Sequence, residues 1–314
     1  MKAWQFQDTG IPLELVDWPE PEPGPGEVVI DIRASGLCFS DVSAVEEPSW
    51  SYMFPTRPVI LGHEPAGVIS ELGSGVTEFA IGDRVSIPSG YPPGIGYARN
   101  GAYAEKLVAP TQYLVRIPDR VSFVEAAAGA DSGNVAHHAV VAVGQVQPGE
   151  RVGIIGIGGL GQIGLRIAHL RGAEVYVATR NCEVWPIAEA AGAKRVVSDI
   201  TELADVGLDV VIDFAGFEAT TAGTIEVLGR GGRLILVGLG QWTASVDIGA
   251  VVTKELKVLG SEGGGVEDLA AVFELYAQGL LKPVLTEIAF SEIGEGLERL
   301  KKGGVRGRLV AVLP

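Results

Sequence analysis

With 314 residues, 47% hydrophobic and 20% charged, the chain is long enough for two domains of ordinary size, each able to bury a proper core. A formal charge of −15, from 24 basic and 39 acidic residues, argues against nucleic acid and anionic membrane surfaces as partners. Only two cysteines occur, Cys38 and Cys182, and neither a basic-then-apolar leader nor an uninterrupted apolar run of about twenty residues is found, so a cytoplasmic protein without disulfides or a membrane span is expected.

Residues 1–130 read as β-rich. Pro19 to Gly26 is a stiff loop, and Glu27 to Arg33 alternates apolar and polar as a half-buried strand should. Val59–Leu61 and Ala66–Glu71 flank Gly62-His63-Glu64. Gly82-Asp83 turns into Arg84–Ile87, Ser89–Gly101 is loop, and Ala102–Val108 is again strand-like. Ser122-Phe-Val-Glu125 forms a capping box that opens a helix through Ala126–Ala130. A second helical pattern spans Val135–Val143 and stops at Pro148-Gly149.

From Arg151 the pattern changes. Strand candidates Val152–Ile155, Glu174–Ala178, Val210–Asp213, Arg233–Val237 and Leu256–Leu259 alternate with helical stretches such as Trp185–Ala191 and Ala219–Leu228. That alternation predicts a parallel sheet covered by helices on both faces. A helix over Val266–Gln278, another capped by Ser291 and ending at Gly303, and a last strand at Arg308–Val312 close the chain.

The first of these strands enters Gly156-Ile-Gly158-Gly159-Leu160-Gly161 and leaves into a helix with Ile163, Ile167, Ala168 and Leu170 at helical spacing. Strand, glycine turn and helix together define a dinucleotide fingerprint. Gly156 permits the tight turn, Gly158 lets the backbone approach a pyrophosphate, and Gly161 allows close helix packing. The helix N-terminus offers free N–H groups to the phosphates.

Taken with Gly36-Leu-Cys38-Phe-Ser40-Asp41, Gly62-His63-Glu64-Pro-Ala-Gly67, Gly82-Asp-Arg-Val85, Gly101-Ala-Tyr-Ala-Glu105 and the ending Gly303–Val312, this motif makes the chain resemble the medium-chain, zinc-dependent alcohol dehydrogenases over nearly its whole length. The resemblance implies an α/β protein: a GroES-like β-rich catalytic domain at 1–132 and 266–314, split around a Rossmann doubly wound parallel sheet at 133–265. It also implies a ligand site between the two and assembly as a homodimer or homotetramer.

By the same resemblance Cys38, His63, Glu64 and Asp131 are candidate catalytic zinc ligands, with Asp131 where many relatives have cysteine and Glu64 as a movable fourth ligand. The set is similar to that of NADP-dependent secondary alcohol dehydrogenases, and His138, seven residues after Asp131, fits that subgroup. Singly, the residues leave other readings open. Cys38 is also a small apolar core residue, His63 a core histidine, and Asp131 a cap for the following helix. Many members hold a structural zinc on four clustered cysteines. Pro88–Asn100, the matching segment, has none, so at most one zinc per chain is expected.

Ser40 stands where the family places the hydroxyl that hydrogen-bonds the substrate alcohol and takes its proton; a loop serine bonded to backbone is the alternative. Asp41 would orient the site. Ser43 replaces the histidine that often extends the relay. Where an acidic residue would bind the ribose 2′-hydroxyl of NAD, this chain reads Ala178-Thr179-Arg180-Asn181. Thr179 and Arg180 suit a 2′-phosphate, which predicts NADP(H) over NAD(H); the alternative is an Arg180 that only projects into solvent. Phe39, Trp50, Tyr52, Phe54 and Tyr91 are candidates to line a pocket for a medium-sized apolar alcohol or ketone, or to pack the core. The expected activity is reversible hydride transfer between NADP(H) and an alcohol and its ketone or aldehyde. The alternatives are a zinc-free quinone or enone reductase of the same superfamily and a non-catalytic NADP(H)-binding regulatory or structural protein.

Overall fold

A computed structural model describes residues 1–90 and 94–313. It resolves into two compact units, Met1–Asn134 with Gly263–Pro314, and Val135–Glu262. Tyr91 lies outside the described residues.

The first unit is built on the strand Glu27–Leu37, eleven residues long. Val28, Ile30 and Ile32 point inward at the two-residue period of a strand and are buried with Ile69, Val85, Ile87 and Leu107. One side of this strand pairs antiparallel with Pro65–Leu72. The other pairs with Lys106–Pro110 along its first half and with the terminal strand Arg308–Val312 along its second. Leu285–Ala289, Arg84–Ser86 and Val115–Arg116 complete a seven-stranded sheet. A small sheet of Glu14–Asp17, Lys2–Phe6 and Val59–Ile60 packs through Phe6 and Ile60 into a second cluster with Leu37, Leu61, Tyr103 and Leu309.

Several elements differ from expectation. Ala102 to Glu105 is not regular strand: Ala104 makes a single bridge to Ala3, and the strand proper is Lys106–Pro110. The predicted break near Asp131 does not occur. Phe123–Ala128 runs on through a π-helical turn, Gly129–Gly133, then Asn134–His137 and a second π stretch, His138–Val143. The helix is held there by burial, since Gly133 lies so near Val272 that a Cβ would stand 2.7 Å from its Cγ1. Asp131 is therefore inside a helix and caps nothing. Ser291 caps nothing either. The turn before Ile293–Lys301 is closed by Glu292, whose carboxylate accepts from the Ala289 N–H at 2.7 Å.

The second unit holds six parallel strands in the spatial order Ala193–Val197, Glu174–Ala178, Arg151–Ile155, Leu208–Asp213, Leu228–Leu236, Lys257–Gly260. Counted along the chain this is 3-2-1-4-5-6, the doubly wound order of dinucleotide-binding sheets. The central strands are buried on both faces by Val152, Ile154, Val210, Val211, Ile212, Leu234 and Ile235, as all-parallel sheets require. Ala193–Val197 is absent from the sequence reading because it is an edge strand in which only Val197 is buried. Among the described residues no helix is long and apolar enough to cross a membrane.

Because Ile30 is wholly buried in the strand that three partners share, Ile30→Ala is expected to cost about 2–5 kcal/mol, as a loss of transfer energy plus a cavity. Urea unfolding followed by tryptophan fluorescence would report it as a lower midpoint with an unchanged slope.

Candidate metal centre and cofactor site

Three separate elements bring four donors together. Cys38 sits at the corner where the Glu27–Leu37 strand turns into the Phe39–Glu46 helix. His63 and Glu64 lie between the Val59–Ile60 and Pro65–Leu72 strands. Asp131 comes from the π-helical turn Gly129–Gly133. One ligand atom from each of Cys38, His63, Glu64 and Asp131 lies within 4.8 Å of all the others. Asp131 Oδ2 is 3.5 Å from Cys38 Sγ and 3.9 Å from His63 Nε2.

These separations suit a small divalent ion. Bonds of about 2.0–2.3 Å to N, O and S give tetrahedral ligand–ligand edges of roughly 3.3–3.8 Å. Gly36 makes room for the cluster, since a Cβ there would stand 1.9 Å from Glu64 Oε2.

Asp41 ties the corner down. Its Oδ2 accepts from the Cys38 N–H at 3.0 Å and from the Tyr103 hydroxyl at 2.7 Å. Its Oδ1 faces His63 Nδ1 at 3.3 Å, within ion-pair distance though not in hydrogen-bonding geometry. Asp41 thus steadies the ring from the edge opposite the donor cluster, leaving Nε2 turned towards it. Ser40 Oγ lies 3.4 Å from that Nε2 and accepts a hydrogen bond from the Tyr97 hydroxyl at 3.1 Å. The Tyr97 ring stacks on His63 with centroids 5.2 Å apart. Ser43 is buried.

Two residues that sequence reasoning missed complete the site. Arg308, buried in the terminal strand, donates through Nε to Glu64 Oε2 at 3.1 Å and through Nη2 to Glu64 Oε1 and Asp131 Oδ2. Its one sequence signal is an arginine opening an otherwise apolar strand. Tyr97 is set by the turn after Gly94, whose carbonyl accepts the Tyr97, Ala98 and Arg99 N–H groups. Of the proposed pocket aromatics, Trp50 and Phe54 are buried, whereas Phe39 and Tyr52 are exposed by 54% and 69%.

Burial is the largest single influence on each group of this cluster, and for two of the three the neighbouring charges together outweigh it. It pushes the Glu64 carboxyl from 4.5 up to about 7, with Asp131 adding to the rise and Arg308 and His63 opposing it. Asp131 goes the other way: burial would raise it, but His63 and Arg308 outweigh that and hold it below its ordinary value. His63 is drawn well above the usual imidazole range, because the Tyr97 oxygen and the Asp41 carboxylate overcome the opposing effect of burial.

The second unit carries the glycine motif at the carboxyl ends of its central strands. Gly156 takes φ +85°, and a Cβ on Gly161 would stand 1.7 Å from the Gly156 carbonyl oxygen. Nothing approaches the Cβ position of Gly158 within 4 Å. The helix Gly159–Leu170, which includes Leu160, starts there. The Gly156 N–H donates to the Ala178 carbonyl, so the turn lies beside the end of the Glu174–Ala178 strand, where Thr179 and Arg180 follow. Thr179 is buried; Arg180 is exposed, its guanidinium 5.8 Å from the Phe217 ring centre.

A GroES-like unit with a mixed thiol, imidazole and carboxylate cluster, and a Rossmann unit with a complete glycine fingerprint, define an oxidoreductase of the zinc-binding, nicotinamide-dependent class. The profile of the alcohol dehydrogenase GroES-like domain matches residues 24–119, and that of the zinc-binding dehydrogenases matches residues 159–278. An alcohol dehydrogenase of Geobacillus stearothermophilus is 32% identical, with 99% of each chain covered. An NAD-dependent alcohol dehydrogenase of Sulfolobus acidocaldarius is 30% identical, again with 99% of each covered. Among solved structures, the alcohol dehydrogenase of Aeropyrum pernix superposes with a TM-score of 0.92 at 29% identity over 100% of both chains. The acetophenone reductase of Geotrichum candidum, in complex with NAD, gives 0.90 at 28% identity over 99% of this chain and 97% of that one. The chain therefore belongs to the medium-chain zinc-dependent alcohol dehydrogenase family.

Arg308 is the cation that makes two buried carboxylates tolerable. In metal-free protein, Arg308→Met is expected to cost about 3–5 kcal/mol by taking the guanidinium from Glu64 and leaving Asp131 with His63 as its one cation. Glu64 already titrates above its unfolded value, so its share of stability is present below pH 4.5 and is lost as the pH rises towards 7. Without Arg308, which holds the Glu64 carboxyl down, that loss grows. The deficit measured by thermal unfolding should be larger at pH 8 than at pH 5, and an equal deficit at both would contradict the assignment.

Proposed function

We propose that the protein is a zinc-dependent alcohol dehydrogenase that interconverts an alcohol and its ketone or aldehyde with NADP(H), holding one catalytic zinc per chain and no structural zinc. The observation that carries this reading is the convergence of Cys38, His63, Glu64 and Asp131 donor atoms within 4.8 Å of one another. When bound, the zinc supplies Lewis-acid polarisation and the nicotinamide supplies or accepts the hydride.

The residues divide the remaining work. Cys38, His63 and Asp131 would hold the metal, and an exchangeable fourth position would serve substrate or water. Glu64, both of whose oxygens accept from Arg308, would serve as the exchangeable fourth ligand. Asp41 fixes the His63 ring and the Cys38 corner. Ser40 exchanges the proton of the substrate oxygen. Since Tyr97 donates to Ser40 Oγ, the hydroxyl hydrogen of Ser40 remains available to that oxygen. Burial raises the Tyr97 phenol, which keeps it protonated and able to donate.

Gly156, Gly158, Gly159, Leu160 and Gly161 form the pyrophosphate turn. Thr179 and Arg180 receive the 2′-phosphate, and no carboxylate stands among residues 178–181 to repel it. The Sulfolobus relative is named NAD-dependent and the Geotrichum structure holds NAD. What favours NADP(H) here is this chain's own Thr179-Arg180 pair. Assembly as a homodimer or homotetramer is supported by the open sheet edge Lys257–Gly260, where Val258 and Leu259 are 43% and 36% exposed.

Elemental analysis should find one zinc per chain. Chelation should abolish ketone-dependent NADPH oxidation, and added zinc should restore it. The ratio kcat/KM should favour NADPH over NADH, and Arg180→Ala should narrow that preference roughly tenfold, the scale of one charge-assisted phosphate contact. Two zincs per chain, or turnover of enones or quinones indifferent to chelators, would sink the reading.

A further inference from the structure

A carboxylate differs from a thiolate as a metal ligand in having a second oxygen. Where Asp131 faces the donor cluster, that oxygen needs a partner, because the residue is buried and an unpaired acceptor there is costly. The two oxygens have separate surroundings. Oδ2 points at Cys38 Sγ, 3.5 Å away, at His63 Nε2, 3.9 Å away, and accepts from Arg308 at 2.5 Å. Oδ1 accepts from the Ser89 hydroxyl at 2.7 Å.

Ser89 is built for that contact. It is buried. Its N–H donates to the Ala130 carbonyl at 2.8 Å, and its own carbonyl accepts from Asn134 Nδ2 at 3.4 Å. Both partners flank Asp131 on the same helical run, one just before it and one three residues after. The serine therefore cannot drift from the carboxylate without breaking two further bonds. Its length places the Oδ1 bond close to the short class that hydroxyls make to ionised oxygens.

Resting on the metal reading above, we propose that Ser89 is a positioning residue that reserves one oxygen of Asp131, so that the aspartate would ligate through Oδ2 alone and would leave the fourth coordination position to an exchangeable ligand. With the hydroxyl removed, Oδ1 is left without a donor. The carboxylate then rotates to chelate with both oxygens or to seek another partner, and either movement alters the metal's geometry and its affinity. Ser89 does not touch the substrate.

The test is cobalt(II) substitution of the metal-free full chain, read by visible absorption and by chelator competition. Wild type should take up one cobalt per chain with the intense d–d bands of a four-coordinate site. Ser89→Ala should weaken those bands at least twofold and raise the metal dissociation constant about 10–100-fold, the usual cost of losing a partner to a ligand. Ser89→Thr, which keeps the hydroxyl, should restore both. Ser86→Ala, which also loses a buried serine hydrogen bond, to the Pro65 carbonyl, should leave both unchanged. Should Ser89→Ala fail to fold, X-ray absorption fine structure of the zinc-loaded wild type decides. Carboxylate ligation through one oxygen supports the proposal, and ligation through two overturns it. If wild type binds cobalt and Ser89→Ala matches it in spectrum and affinity, the role of Ser89 is refuted while the metal reading stands. If wild type binds none, both fall.

Discussion

The first unit is arranged around one buried cation. Arg308 reaches Glu64 and Asp131 from the terminal strand, where it is 5% exposed, in an interior that also holds Cys38 and Asp41. Two carboxylates taken out of water lose several kcal/mol of hydration each, and a guanidinium with donors on two edges is the side chain best shaped to answer both. The consequence is topological. The last strand pairs with the second half of Glu27–Leu37, and that register brings the arginine before Leu309 to the cluster. The surplus of negative donors that demands Arg308 is also what would attract a divalent ion, so the framework charge and the proposed metal site share one cause.

Around that cation each donor has a further contact beyond the cluster's own four residues. Asp41 holds Cys38 through the backbone and faces His63, Arg308 holds Glu64, and Ser89 holds Asp131. Such outer contacts decide where lone pairs point, which matters as much for a metal as which atoms are present. Tyr97 does the same for Ser40 and packs its ring on His63, so one side chain serves orientation and packing together.

The sequence is most informative where chemistry demands a residue type at a fixed spacing. The glycine fingerprint was legible because a tight turn, close backbone approach and close helix packing each need a missing side chain, and Gly156 and Gly161 show two of those needs in φ and in contact. The central strands were legible because burial on both faces forces unbroken apolar runs. Ala193–Val197 was not, since an edge strand has no such pressure and carries Lys194 and Arg195 outward. The uninterrupted helix from 123 to 143 escaped local reading for a different reason. Gly133 signals a break by propensity, and its close packing on Val272 reverses that preference.

By itself the sequence determined the β-rich character of the first unit, the alternating strands and helices of the second and the nucleotide turn, because those depend on periodicity and on residue chemistry that leave a local trace; the four candidate donors came from the family resemblance. Tertiary structure alone decided that Arg308 balances the cluster from 244 positions beyond Glu64, that Tyr97 rather than Ser43 attends Ser40, and that Ser89 partners Asp131 across 42. Contacts at such separations are set by sheet register and helix placement, and no neighbour in the chain records them.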